Sequence, residues 1–211
     1  MIIGEKKKQI LILIATIIFF FTASSGCVNI KCAYIPDEIL SNGWYENLSL
    51  RNTGLHFLGM EKWCSSVYEL KGKYPASLTL TTIKSILLAD EDEINKKIQK
   101  IIKENFKDNI QLNESTRITG ERTLINSHKT KYIIYEGLDI IKKNKIKIIG
   151  EVWNCGISGS SIICIGIAYI SNEENPFVEY IENWKKIVID PNGSIENLIG
   201  QNGLINNVIC H

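Results

Sequence analysis

The side chains in this 211-residue chain best suited to chemistry are six cysteines (Cys27, Cys32, Cys64, Cys155, Cys164 and Cys210) and three histidines (His56, His128 and His211). Thiolates and imidazoles are the usual ligands of zinc, and such sites announce themselves by close spacing, commonly two cysteines separated by a few residues. No Cys-x-x-Cys occurs, and the histidines fall at no ligand spacing from cysteines or acids. Cys210-His211 is an isolated neighbouring pair, so neither a metal nor another cofactor is expected. Nor is there a Gly-x-Ser-x-Gly elbow, a phosphate-binding glycine loop or a His-Glu-x-x-His pair. His128 follows Ser127, but no acid is placed by the local pattern to orient its ring, and a nucleophile–base pair needs that third group. No catalytic residue is expected.

Two strand-like segments carry the most informative polar residues: 145–155 (KIKIIGEVWNC) and 161–171 (SIICIGIAYIS). Glu151 and Trp153 share the Cys155 side of the first, and an unpaired polar group buried in such a sheet costs about 1–3 kcal/mol. They are the candidate ligand-binding residues, set against the simpler reading that the Trp153 ring packs down on a facing glycine, Gly166. Gly156-Ile157-Ser158-Gly159-Ser160-Ser161 resembles an anion loop only in composition. It lies between strands and lacks the helix N-terminus that such loops use. A two-residue turn at Gly159-Ser160 would pair residues whose numbers sum to 319. Cys155 would then face Cys164 in a non-hydrogen-bonded pair, within disulfide reach, and Trp153 would face Gly166. A Cys155–Cys164 bridge is expected on that register. The other cysteines, Cys32, Cys64 and Cys210, allow any one pair.

The elements that must position these residues read as follows. Residues 63–71 and 77–86 alternate as strands around Gly72-Lys73-Tyr74-Pro75; in the second, Leu78, Leu80 and Thr82 share a face. Residues 90–106 form a helix, with Ile94, Ile98, Ile101, Ile102 and Phe106 on one stripe and lysines on the other. Four strands follow near 115–125, 129–140, 145–155 and 161–171, and turns this short imply an antiparallel meander. Asn175 and Pro176 open a last helix to 188, whose buried stripe is Phe177, Ile181, Trp184 and Val188. The fold class is α+β, a curved antiparallel sheet of about six strands in the order β-β-α-β-β-β-β-α. Residues 61–211 form the domain, and residues 27–60 a tether and irregular segment.

The chain has 24 Lys and Arg against 23 Asp and Glu, a net charge of +1. That is no electrostatic case for nucleic acid. Lys129, Lys131, Lys142, Lys143, Lys145 and Lys147 gather around the meander, where a solvated edge is the simpler reading than an anionic-lipid patch. Asn47-Leu-Ser, Asn113-Glu-Ser and Asn192-Gly-Ser fit the glycosylation pattern. The start, MIIGEKKKQILILIATIIFFFTASSGC, has a basic triplet at Lys6–Lys8, 12 mostly aliphatic and aromatic residues from Ile10 to Phe21, and small residues before Cys27. Those are the parts of a secretory signal, and the core is short of the roughly 20 residues of a spanning helix. Residues 1–26 hold three lysines and one glutamate, leaving 21 basic and 22 acidic residues, a net of −1.

Ser25-Gly26-Cys27 resembles the lipobox of prokaryotic lipoproteins, departing from it at Ser24, where an aliphatic residue is commoner. The resemblance implies cleavage of residues 1–26, lipidation of Cys27 and a location on the extracytoplasmic side of the cell membrane. Contact with the membrane is then through the lipid, or through the uncleaved N-terminal segment. The element order over about 63–190 is similar to the PsbP-like fold, whose members are mostly binding or assembly factors. It implies a non-catalytic module for an unidentified protein or small molecule; the alternative is an extracytoplasmic enzyme of unknown reaction.

Overall fold

The computed structural model describes residues 30–56, 61–72, 75–85, 109–172, 178–188 and 203–211, with the single positions 96, 100 and 102. The apolar stretch 10–21, Cys27 and Asn192 lie outside the described residues. No helix among the described residues is long and apolar enough to cross a membrane.

Eight strands form: β1 (Trp44–Glu46), β2 (Asn52–His56), β3 (Glu61–Leu70), β4 (Ala76–Ser85), β5 (Ile110–Thr123), β6 (Lys129–Asp139), β7 (Asn144–Cys155) and β8 (Ser160–Asn172), with apolar alternation clearest in β4. All pair antiparallel in one open sheet, in the order β1-β3-β4-β8-β7-β6-β5. β2 shares the outer edge of β3 with β1: β1 meets Tyr68–Leu70, and β2 meets Glu61–Ser65. Residues 27–60, read from the sequence as tether and irregular structure, therefore supply two strands, and the sheet has eight rather than six. These strands are three and five residues long, too short for alternation to show. From β3 onward the described strands and the last helix follow the expected order.

Each face of the sheet carries a buried cluster. On one, Leu78 and Leu80 of β4, Tyr132 and Ile134 of β6, Ile149, Trp153 and Cys155 of β7, and Ile162 and Cys164 of β8 form the larger core. Helix α1 (Val178–Val188) lies on this face, with Trp184, Ile187 and Val188 buried. On the other, Ile133, Tyr135, Ile146, Ile148 and Val152 cluster with Ile102. Of the helix expected over 90–106, only Lys96, Lys100 and Ile102 are described; all three are helical, the lysines exposed and Ile102 buried, as the stripe requires.

The segments flanking the sheet in sequence also lie on the α1 face. Tyr34 and Ile209 exchange backbone hydrogen bonds of 2.9 and 2.8 Å. The Ala33 N–H donates to Thr82 Oγ1 at 2.8 Å, and the Ile35 N–H to Tyr68 Oη at 3.0 Å. From the other end of the chain, the Leu204 N–H donates to the Lys186 carbonyl at 2.8 Å, which ties this segment to α1.

The β7–β8 register departs from the expected one. Residues 156–159 form a four-residue loop closed by a hydrogen bond of 2.9 Å from the Gly159 N–H to the Cys155 carbonyl, with Gly159 at φ +61°. Paired numbers therefore sum to 315, so Cys155 faces Ser160, Glu151 faces Cys164 and Trp153 faces Ile162. A four-residue slip is even, so every side chain keeps its face while its partner changes. Gly166 faces Ile149 and Leu78, not Trp153. The space above it belongs to α1: a Cβ there would lie 2.7 Å from the Ile187 methyl and 2.9 Å from that of Ile149. Gly166→Val is expected to lower stability by about 1–3 kcal/mol through this overpacking. Urea unfolding followed by circular dichroism measures it; wild-type stability would mean that α1 does not seat on the glycine.

Candidate functional site

Glu151 sits in the middle of β7 with its side chain wholly buried on the α1 face. Its partner is Arg122 of β5. Arg122 Nε donates to Glu151 Oε1 at 2.7 Å and Nη2 to Oε2 at 2.5 Å, a two-pronged ion pair. Thr130 Oγ1 of β6 donates to Oε1 at 2.5 Å. Arg122 Nη1 donates to the Val188 carbonyl at 3.0 Å, the last residue of α1, where helix carbonyls lack internal partners and a cation is favourable. Charged hydrogen bonds of this forked kind are the strong class. Both oxygens of Glu151, a candidate ligand-binding residue, are thus engaged within the protein.

Cys164 lies opposite Glu151 and is the free cysteine among those described. Burial and the adjacent carboxylate push its thiol well above the ordinary range, which keeps it protonated and unreactive. Cys155 is bonded instead to Cys210, and Cys32 to Cys64. This corrects the expected Cys155–Cys164 bridge: the longer loop moves Cys164 four residues up the ladder, and the chain's last segment brings Cys210 to the place it leaves. The Cα atoms are 6.4 Å apart in Cys155–Cys210 and 5.8 Å in Cys32–Cys64, both within disulfide range. They close loops of 55 and 32 residues in sequence separation, each worth roughly 4 kcal/mol on the chain-entropy account.

At this end of the sheet the β5–β6 turn, the β7–β8 loop and the last segment converge. The β5–β6 turn presents His128, with Ser127 at φ +65° bending the chain back. The last segment is fastened beside it: the Ile125 N–H donates to Asn206 Oδ1 at 2.9 Å, and Asn126 Nδ2 to the Val208 carbonyl at 2.9 Å. Cys210 Sγ then lies 3.2 Å from His128 Nε2 and 3.9 Å from His211 Nδ1. Trp153, fully buried, stacks on the His128 ring at 6.4 Å between centroids. Burial, and then the nearby His211, lower the pKa of His128 below the usual value, which favours the neutral imidazole. One ligating atom from each of His128, Cys155, Cys210 and His211 falls within 4.8 Å of all the others. Two histidines that no local spacing linked to cysteine are therefore brought to one place by the fold.

The remaining sequence candidates are scattered. Asn47 is half-buried, with Nδ2 donating to Glu69 Oε2 at 2.9 Å. Asn113 is exposed at a break in the β5–β6 ladder, and its Oδ1 accepts from Ser115 Oγ at 2.7 Å. Lys129 begins β6, whereas Lys142 and Lys143 lie in the turn beyond its far end and Lys145 pairs with Leu138 near that end, roughly 30 Å away at strand rise. The lysines therefore do not make one patch. Lys142 Nζ lies over the Tyr169 ring at 4.9 Å, and Lys147 pairs with Glu136 at 3.5 Å. No protein family, curated protein or solved structure matches the chain.

Peptide mapping of the non-reduced protein is expected to recover Cys32 linked to Cys64 and Cys155 linked to Cys210. A maleimide should reach Cys164 only after denaturation. A Cys155–Cys164 peptide, or rapid labelling of native Cys164, would contradict the observed register.

Proposed function

We propose that this protein is an exported lipoprotein, held at the extracytoplasmic face of the cell membrane through Cys27, whose sheet domain serves as a non-catalytic binding or assembly module. The observation that carries the reading is the pair of disulfides, each fixing a terminal segment to the sheet. Structural disulfides form and persist in oxidising compartments and are rare in reducing ones. The basic triplet, short apolar core and Ser25-Gly26-Cys27 at the start of the chain support the same location. The lipid chains typical of such anchors, two or more, hold a protein stably where a single acyl chain does not.

A binding rather than catalytic role is supported by the way the central polar residues are used. Glu151, Arg122 and Thr130 are committed to one another inside the core. By contrast, large apolar side chains stand out at the turn tips: Ile125 and Ile157 are 54% and 75% exposed at one end, and Ile140 and Ile141 are 52% and 75% exposed at the other. Apolar side chains presented at loop tips suit contact with another macromolecule better than surface lysines do. The order of β3 to β8 and α1 supports the PsbP-like reading of the domain, with Ile102 on the face opposite α1 extending the cover to both sides.

Cell fractionation with labelled fatty acid tests this reading. The expected result is membrane-associated, lipid-labelled protein accessible to protease from outside, with label and anchoring lost in Cys27→Ala. Recovery of unlabelled protein from the soluble cytoplasm, with its four bridging cysteines reduced, would overturn it.

A further inference from the structure

We propose that His128, Cys155, Cys210 and His211 form a redox-gated zinc site, filled when the two cysteines are thiolates and emptied when they join as a disulfide. Two sulfurs and two imidazole nitrogens are a donor set that zinc takes in tetrahedral geometry, with bonds of about 2.3 Å to sulfur and about 2.0–2.1 Å to nitrogen. Ligand atoms at the corners of such a tetrahedron stand roughly 3.3–3.8 Å apart. Cys210 Sγ already stands 3.2 Å from His128 Nε2 and 3.9 Å from His211 Nδ1. No separation in the set exceeds 4.8 Å, so closing on a metal requires no ligand to move by more than about 1 Å, and the sulfurs to part from bonding distance.

The four ligands come from three places in the fold. Cys155 is anchored at the end of β7, and His128 is held by its turn and by the Trp153 ring stacked on it. Cys210 and His211 sit on the chain's last segment, and His211 is exposed. β7 and the β5–β6 turn thus supply one sulfur and one nitrogen, and the segment 203–211 supplies the other of each. Burial of Cys155 and Cys210 shields the sulfurs from water, while the exposed His211 edge leaves a path for the ion.

The gating step balances with a disulfide oxidant. The two zinc-bound thiolates give up two electrons and form the Cys155–Cys210 bond. A disulfide of general form RSSR accepts those electrons with two protons and leaves as two RSH, and Zn2+ is released. A dithiol reductant reverses the step: reduction yields two cysteine thiols, and binding zinc displaces their two protons. The observed disulfide is the emptied state of this cycle.

The experiment uses the full-length chain in detergent, reduced with a phosphine and desalted without oxygen, then titrated with Zn2+ and, as a spectroscopic reporter, Co2+. The expected result is one ion per chain, with Co2+ giving the thiolate charge-transfer and intense visible bands of a tetrahedral site. The oxidised chain should give neither. His128→Gln and His211→Ala should each weaken Zn2+ binding on the order of tenfold or more; His211 is exposed, so this variant gives the readout even where the His128 variant misfolds. Cys32→Ser, which removes the other bridge, should leave the Co2+ spectrum unchanged. No stoichiometric binding by the reduced chain, binding indifferent to both histidines, or equal binding by the oxidised chain would each overturn the proposal. Binding is read on purified protein, so its failure is distinct from failure of the export reading, which rests on fractionation.

Discussion

The buried ion pair between Arg122 and Glu151 constrains everything around it. A carboxylate placed at zero exposure in a strand flanked by isoleucines is costly unless its charge is met and its oxygens are filled. Arg122 meets the charge with a two-pronged contact, and Thr130 adds a third hydrogen bond. Because these partners come from β5, β6 and β7, the three strands can settle in only one register that leaves no charge orphaned. The remaining guanidinium nitrogen reaches the terminal carbonyl of α1, so the same group also sets where the helix ends. Cys164 completes the neighbourhood from β8 and is kept a neutral thiol by it.

Around that centre, the terminal segments behave as clasps. One enters over β3 and β4, is bonded to Thr82 and Tyr68, and is locked by Cys32–Cys64. The other leaves past α1 and the β5–β6 turn and is locked by Cys155–Cys210. They meet at Tyr34 and Ile209, so the α1 face is closed by two segments distant in sequence. The second clasp also carries Cys210 and His211 to His128, which makes the candidate metal centre a consequence of how the chain is closed. A site assembled in this way depends on the oxidation state of its own fastening.

Much of the sheet is legible in the sequence. Leu78, Leu80 and Thr82 alternate as they do in the structure, and the gaps between the expected strands ending at 125, 140 and 155 fall within a residue or two of the observed turns. The β7–β8 register is not legible, because Gly159 permits a left-handed backbone in a four-residue loop as well as in a two-residue turn; only tertiary pairing chooses between them. Cys155–Cys210 and the approach of His128 to Cys210 join positions 55 and 82 residues apart, and no local period encodes such contacts. Arg122 did leave a trace. It shares strand parity with Leu124 and so points inward, and an inward arginine calls for the inward glutamate that the next strands supply at Glu151.

The central claim is that the sheet's register and the seat of α1 depend on this one ion pair, and a double-mutant cycle on Arg122 and Glu151 tests it most directly. Urea unfolding of Arg122→Met, of Glu151→Leu and of the double variant gives the three stabilities needed. Each single substitution leaves a buried charge unmet and is predicted to cost about 3–5 kcal/mol, while the double variant, with an apolar pair in place, loses far less than the sum. Losses that simply add, or single variants as stable as the wild type, would contradict it.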